Sequence, residues 1–534
     1  MKTRHLAAAL LASAIAIPAS SASAATTSTS AAAQFSNFGD LITQLLSQNL
    51  QRAVTVTGIR QHLNALQSIA NANGGNRLAG TAGNLATVNY IKQRLQRAGY
   101  RTSLQPFEIP YYEQVSPATF AELTPTPKTY TEGTDFTTMP YSGTGQVSGK
   151  LVPTNDIMIP PAPTPSSTSG CEPGDFPAAT AGAIALVQRG TCDFSVKAAN
   201  AKAAGAIGLV VFNEGQPGRT DLFPTAAMDK PIDIPVLKAT FQLGSDLYAQ
   251  TQAGAVTVSI KTDTISEIRT TYNVIGETWF GRPDYVVAVG AHNDSVGAGP
   301  GINDDGSGTS TNLEIAEQLG KRQIFLRNKV RFIFFGAEEE GLLGSYHYVE
   351  TLSDAEKAKI KVMLDIDMVA SPNYVRFVYD GNGSTFPDAV GPNGSGVVEN
   401  VFLAFFAQRN LATDPVAFDG RSDYVAFTDA GIPAGGVFTG AEVIKTPAQA
   451  RIYGGTAGQA YDPCYHQACD TINNINNTVL DQMSDSIANA VVVFAQRRDP
   501  VVDPVGFAAA AAARSAKRAD GTPGERWKGP LLVR

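Results

Sequence analysis

From about residue 266 onward the sequence alternates short apolar runs with amphipathic helical stretches, and this alternation most limits the fold. "YVVAVGA", "VRFIFFGA" and "IKVMLDIDMVA" read as strands without a polar face. "GTSTNLEIAEQLGKR", "VVENVFLAFFAQRN" and "TVLDQMSDSIANAVVVFAQ" read as helices. Strands that are apolar on both sides need cover on both faces. The pattern therefore predicts an α/β fold with a mixed, mostly parallel central sheet flanked by helices.

The ends of those strands carry the chemistry. His292 and Asp294 follow "VVAVGA", Glu338 and Glu339 follow "VRFIFFGA", and Asp367 closes "VMLDID". In open α/β sheets ligands bind beyond the carboxyl ends of the strands, so these residues converge on one rim. Carboxylates gathered at the end of a buried sheet are costly without compensation, so a cation belongs between them. Zinc accepts both imidazole nitrogen and carboxylate oxygen. An all-oxygen calcium site would leave His292 unexplained. "DPCYHQACDT" supplies a second histidine, His466, inside a small ring if Cys464 and Cys469 pair. Asp294 is expected to accept a hydrogen bond from the His292 ring, and Asp305 with Ser307 to form a turn or helix cap. His62 and His347 are expected to be structural.

Organisation elsewhere is less regular. Residues 1–24 have the form of a signal peptide: Lys2 and Arg4, an apolar run from Leu6 to Ile17, then Ala22-Ser23-Ala24. That run is too short to span a membrane stably, and no other run approaches the roughly 20 residues needed. Export implies an oxidising compartment, and closeness in sequence favours Cys171–Cys192 and Cys464–Cys469 among the three possible pairings. Neither pair has the C-x-x-C spacing of a structural zinc site. The net charge of −7 gives no sign of a nucleic-acid partner, and none is expected. Residues 25–37 are expected to be a disordered or propeptide stub, and 499–534 a flexible tail. Residues 38–112 carry helical patterns and a strand. From 113 to 265 the chain is rich in Pro, Gly, Thr and Val with short apolar strands. It reads as a β-rich unit inserted into one larger domain, whose catalytic part is 266–498.

"GAHNDSV", "GPGINDDGSG", "GAEEEGLLGS", "LDIDMVASPN", "FDGRSDYVAF" and "YHQACDT" together closely resemble the secreted co-catalytic two-zinc aminopeptidases of the bacterial leucyl aminopeptidase and aminopeptidase Y type. The insertion resembles the protease-associated (PA) domain that many of them carry. The resemblance implies two zinc ions per chain. His292 and Asp367 would hold one, Glu339 and His466 the other, and Asp304 would bridge both. It implies Glu338 as general base and Tyr465 as the group that stabilises the tetrahedral intermediate, with hydroxide produced from zinc-bound water. Asn293 stands where the family has an apolar residue, and Glu340 is an extra acid, expected to face solvent or to lie behind the ligands. Arg421 either frames the substrate's amino end or pairs with Asp419 or Asp423. The implied activity is removal of large apolar residues from the N-termini of peptides by an extracellular or periplasmic enzyme without a membrane anchor. Alternatives on the same fold are a carboxypeptidase, a one-zinc glutaminyl cyclase and a non-catalytic receptor. The first would need an arginine cluster near the motifs, and none is there. The full ligand set disfavours the other two.

Overall fold

The computed structural model describes residues 27–503, with side chains from residue 40 onward. The expected signal peptide and most of the expected tail lie outside that range.

Four parallel strands form the centre of the peptidase sheet, in the spatial order Ala434–Phe438, Ile360–Ile366, Arg282–His292, Asn328–Phe335. Antiparallel strands border them: Phe377–Tyr379 on one side and Thr257–Glu277 on the other. In Arg282–His292 the last eight residues are all buried. Successive side chains point to opposite faces, so Val287 and Val289 join one core and Val286 and Ala288 another. The first core includes Leu63, Val88, Leu313 and Ile487, from helices Val56–Ala72, Ala82–Arg97, Gly306–Gly320 and Asn477–Gln496. The second includes Tyr348 and Phe427, from helices Leu343–Thr351 and Tyr424–Asp429. Two-sided burial is the physical reason the strands read as continuous apolar runs.

A long antiparallel ribbon, Arg101–Thr124 against Thr257–Glu277, leads to the inserted unit. Strand Gly145–Pro153 pairs with it, and Ile184–Gln188, Gly208–Phe212 and Val236–Ala239 continue in parallel. The unit has its own core, with Phe120, Leu186, Val210 and Leu237. The boundaries expected at 112/113 and 265/266 fall inside the ribbon, where Tyr112 pairs with Ser266 and Glu113 with Ile265. Composition changes there because the ribbon passes from one core to the other, while backbone pairing runs through without a linker.

Two further expectations are corrected. Helix Thr27–Ala53 takes in residues 27–37, which sets aside the disordered alternative for that stub but not the propeptide one. That stretch has no Gly or Pro and includes Ala31-Ala32-Ala33, which favour helix. Residues 499–503, expected to start the tail, are tied to the body. Val501 is buried, the Asp499 carbonyl accepts from Tyr285, and the Asp503 carboxylate accepts from the Gly394 amide. Among the described residues no helix is long and apolar enough to cross a membrane.

Candidate active site and metal centre

Three neighbouring parallel strands end on one rim. Arg282–His292 ends in His292, which lies opposite Phe335. Asn328–Phe335 is followed by Gly336-Ala337-Glu338-Glu339, and Ile360–Ile366 by Asp367. The backbone turns sharply beside these side chains. Ala337 (φ 55°), Met368 (φ 50°) and His466 (φ 57°) all adopt the left-handed region that non-glycine residues seldom occupy. Such conformations persist where the surroundings over-determine them.

Asp304 comes back over the rim from the loop that follows His292. Its Oδ1 lies 3.1 Å from His292 Nε2 and its Oδ2 3.1 Å from His466 Nε2. Asp367 Oδ1 is 3.8 Å from His292 Nε2, and Glu339 Oε2 is 2.9 Å from His466 Nε2. Two sets of potential ligands result, His292–Asp304–Asp367 and Asp304–Glu339–His466. Within each set the ligand atoms lie within 4.8 Å of one another. Glu338 belongs to neither set. It is buried, with Oε2 4.0 Å from His292 Nε2.

The electrostatics of this rim call for cations. Burial, reinforced by neighbouring carboxylates, raises Glu338 well above the ordinary range, Glu339 to about 7 and Asp367 to about 6. For Asp304 burial is overridden by hydrogen bonds with His292 and His466, and its pKa falls. Burial opposes protonation of His292, yet Glu338, Asp294, Asp304 and Asp367 together raise its pKa well above the usual value. Glu339 Oε1 and Asp367 Oδ1 are buried without a hydrogen-bond partner. Nitrogen and oxygen donors around a shared carboxylate, with lone pairs unsatisfied, fit zinc.

Around these residues Asp305 and Ser307 form the expected helix start, while Asp294, Glu340 and Arg421 differ in detail from expectation. Asp294 Oδ1 is 3.7 Å from His292 Nδ1, beyond hydrogen-bond length, and accepts instead from the Glu338 amide at 3.3 Å. Asp305 caps helix Gly306–Gly320 by accepting from the Gly308 amide, and it also accepts from the His292 and Met368 amides. Ser307 donates to the Asn303 carbonyl. Glu340 does not simply face solvent. It is half-buried, and burial plus the charges of Asp294 and Glu339 raise it to about 7. Its charge also reaches Tyr141 of the inserted unit. Arg421 pairs with neither Asp419 nor Asp423 through its side chain. It binds Glu442 at 2.7 Å and donates to the Tyr465 hydroxyl at 3.1 Å. Tyr465 stacks on His466 with ring centroids 3.8 Å apart. Cys464 and Cys469 are joined around that pair, and Cys171 is joined to Cys192.

His347 stacks on Phe107. His62 faces Glu314 and Glu317 at 3.8 and 3.9 Å, but it reads as a hydrogen-bonded network. Tyr90 engages its Nδ1, Gln318 donates to Glu314, and Arg94 takes both oxygens of Glu317.

The sequence reading assigns no role to Ser422, Glu442, Arg77 or Asp470. Ser422 donates to Asp367 Oδ2 at 2.8 Å. Ser422 and Asp470 stand inside the motifs "FDGRSDYVAF" and "YHQACDT", which is the signal that points to them. Glu442 and Arg77 have no such local mark.

Comparison with known proteins agrees with the geometry. Residues 273–491 match the model of peptidase family M28, and residues 147–247 that of the PA domain. An aminopeptidase of Pseudomonas aeruginosa is 45% identical over 441 residues, covering 82% of this chain and 81% of the relative. A probable leucine aminopeptidase 2 of Aspergillus fumigatus is 40% identical over 426 residues, covering 80% of each. Among solved structures, an aminopeptidase from Aneurinibacillus sp. strain AM-1 superposes with a TM-score of 0.57 at 25% identity, covering 86% of this chain and 98% of that one. A zinc aminopeptidase from Bacillus subtilis gives 0.53 at 25% identity, covering 82% and 95%. The chain belongs to peptidase family M28 and carries a PA domain within it.

Proposed function

We propose that this peptidase is a secreted aminopeptidase that uses two zinc ions to remove large apolar residues from the N-termini of peptides. The observation that carries the reading is Asp304, which presents one oxygen to each of two histidine–carboxylate sets. His292 and Asp367 would hold one zinc, Glu339 and His466 the other, and Asp304 both. Zinc supplies Lewis acidity and brings the pKa of water bound to it to about 7.

The chain's own groups do the rest. Glu338 accepts the proton of the attacking water and returns it to the leaving amine. A buried carboxylate outside both ligand sets and 4.0 Å from His292 is placed for both transfers. Tyr465 donates to the oxyanion as charge develops on the scissile carbonyl. Arg421 fills a lone pair of the Tyr465 oxygen, which leaves its O–H for the substrate. Asp294 holds the Glu338 amide, and Ser422 holds Asp367.

The apolar preference is supported by relatives named leucine aminopeptidases. Secretion is supported by the charged-apolar-small pattern of residues 1–24 and by the two disulfides. The test compares one leucyl peptide with its amino end free and acetylated, in the presence of zinc. Only the free form should be cleaved, and equal cleavage of both would sink the aminopeptidase reading.

A further inference from the structure

We infer that Arg77 and Asp470 are positioning residues that grip successive stretches of the loop of Asp304 and so aim its two carboxylate oxygens. The inference rests on the two-zinc reading.

Arg77 is completely buried and lies in the turn between helices Val56–Ala72 and Ala82–Arg97. Its guanidinium forms no ion pair among the described residues and points all three nitrogens at main-chain carbonyls. Nε donates to Pro300 at 2.9 Å, Nη1 to Asn293 at 2.6 Å and Nη2 to Gly301 at 2.6 Å. Those carbonyls span the loop between His292 and Asp304. The Arg77 amide adds a bond to Ser295 Oγ. Gly301 has φ +60°, and a Cβ there would stand 2.4 Å from the Asp304 carbonyl and 3.2 Å from Arg77 Nη2. A side chain at Gly301 would therefore crowd both the Asp304 carbonyl and the guanidinium.

Asp470 holds the next stretch with the opposite chemistry. Its Oδ1 accepts from the Asn303 amide at 2.8 Å, and its Oδ2 from the Asp304 amide at 3.0 Å. It is buried next to Cys469 and four residues after His466. A cation thus collects the carbonyls of one stretch, and an anion collects the amides of the next. The same anion joins Asp304 to the loop that bears His466. Lysine cannot imitate the planar fork of arginine. Partners behind metal ligands commonly govern affinity by 10–100-fold.

The test uses the full chain, with zinc alone as probe and chelator competition as readout. Arg77→Met and Asp470→Asn should each weaken zinc binding roughly 10–100-fold, with kcat at limiting zinc falling in step. Arg77→Lys should lie between Arg77→Met and the parent. Arg331→Met is the control for general destabilisation, because Arg331 pairs with Glu277 away from the rim. It should lower Tm while leaving zinc affinity unchanged. If Arg77→Met and Asp470→Asn behave like that control, the inference is overturned while the zinc reading stands. If Arg77→Met does not fold, Arg77→Lys and Asp470→Asn decide. A parent protein that holds no zinc would sink both readings together.

Discussion

Glu338→Gln separates proton transfer from metal binding. Glu338 is 4% exposed, its Oε2 is 4.0 Å from His292 Nε2, and neither ligand set includes it. Glutamine keeps the volume of the side chain, and the amide bond to Asp294 comes from the main chain, so both sets survive. Only the proton acceptor disappears. General acid–base catalysis is worth about 10²–10⁴ in rate, which at ~1.36 kcal/mol per tenfold is about 2.7–5.4 kcal/mol on the barrier. Glu339→Gln supplies the contrast, because it removes one donor from a three-donor set whose Oε2 sits 2.9 Å from His466. The assay pairs kcat on leucine 4-nitroanilide with zinc per chain by plasma mass spectrometry. Glu338→Gln should keep zinc and lose turnover, while Glu339→Gln should lose zinc. If Glu338→Gln keeps kcat within threefold of the parent, or if it sheds metal, the division of roles between the two glutamates is wrong.

Arg421→Met should lower kcat about tenfold by releasing the Tyr465 hydroxyl, an order-of-magnitude expectation for one lost orienting hydrogen bond. Because the Arg421–Glu442 pair is 37% and 50% exposed, Tm should barely move, as such pairs contribute ~1 kcal/mol or less. A large loss of Tm with unchanged kcat would reassign the pair to stability. In the inserted unit, burial lowers Lys197 and Lys238 to about 8, against ~10.4 in an unfolded chain. Between those values the unfolded chain binds more protons than the folded one. Stability therefore rises with pH, by about 1.4 kcal/mol per unit for each lysine, and the penalty is fully present below the folded pKa. Lys238→Met should flatten that rise in denaturant melts from pH 7.5 to 10. An unchanged slope would show that Lys238 stays protonated in the fold.

Some of this was legible in short stretches of sequence. A strand buried on both faces shows itself as an unbroken apolar run, so Arg282–His292, Asn328–Phe335 and Ile360–Ile366 are visible without a structure. The acids and histidine just past those runs are visible too, because ligand chemistry belongs to the residue and topology delivers strand ends to one rim. The paired cysteines are close enough in sequence to suggest their partners.

The tertiary structure decided what depends on distant chain. Arg77 meets its carbonyls across 216 to 224 residues, and no periodicity announces a buried cation in a glycine-rich turn. Arg421 has acidic neighbours in sequence, yet it turns to Glu442, because a long side chain bonds whatever the fold brings within reach. The domain boundary lies within a continuous ribbon because composition reports which core a strand faces, whereas backbone pairing is indifferent to side chains. Sequence by itself determined the central strands of the sheet, the candidate ligand types and their order along the chain. The fold alone placed Asp304 between two histidines 174 residues apart, because the path of its loop is set by hydrogen bonds to distant segments.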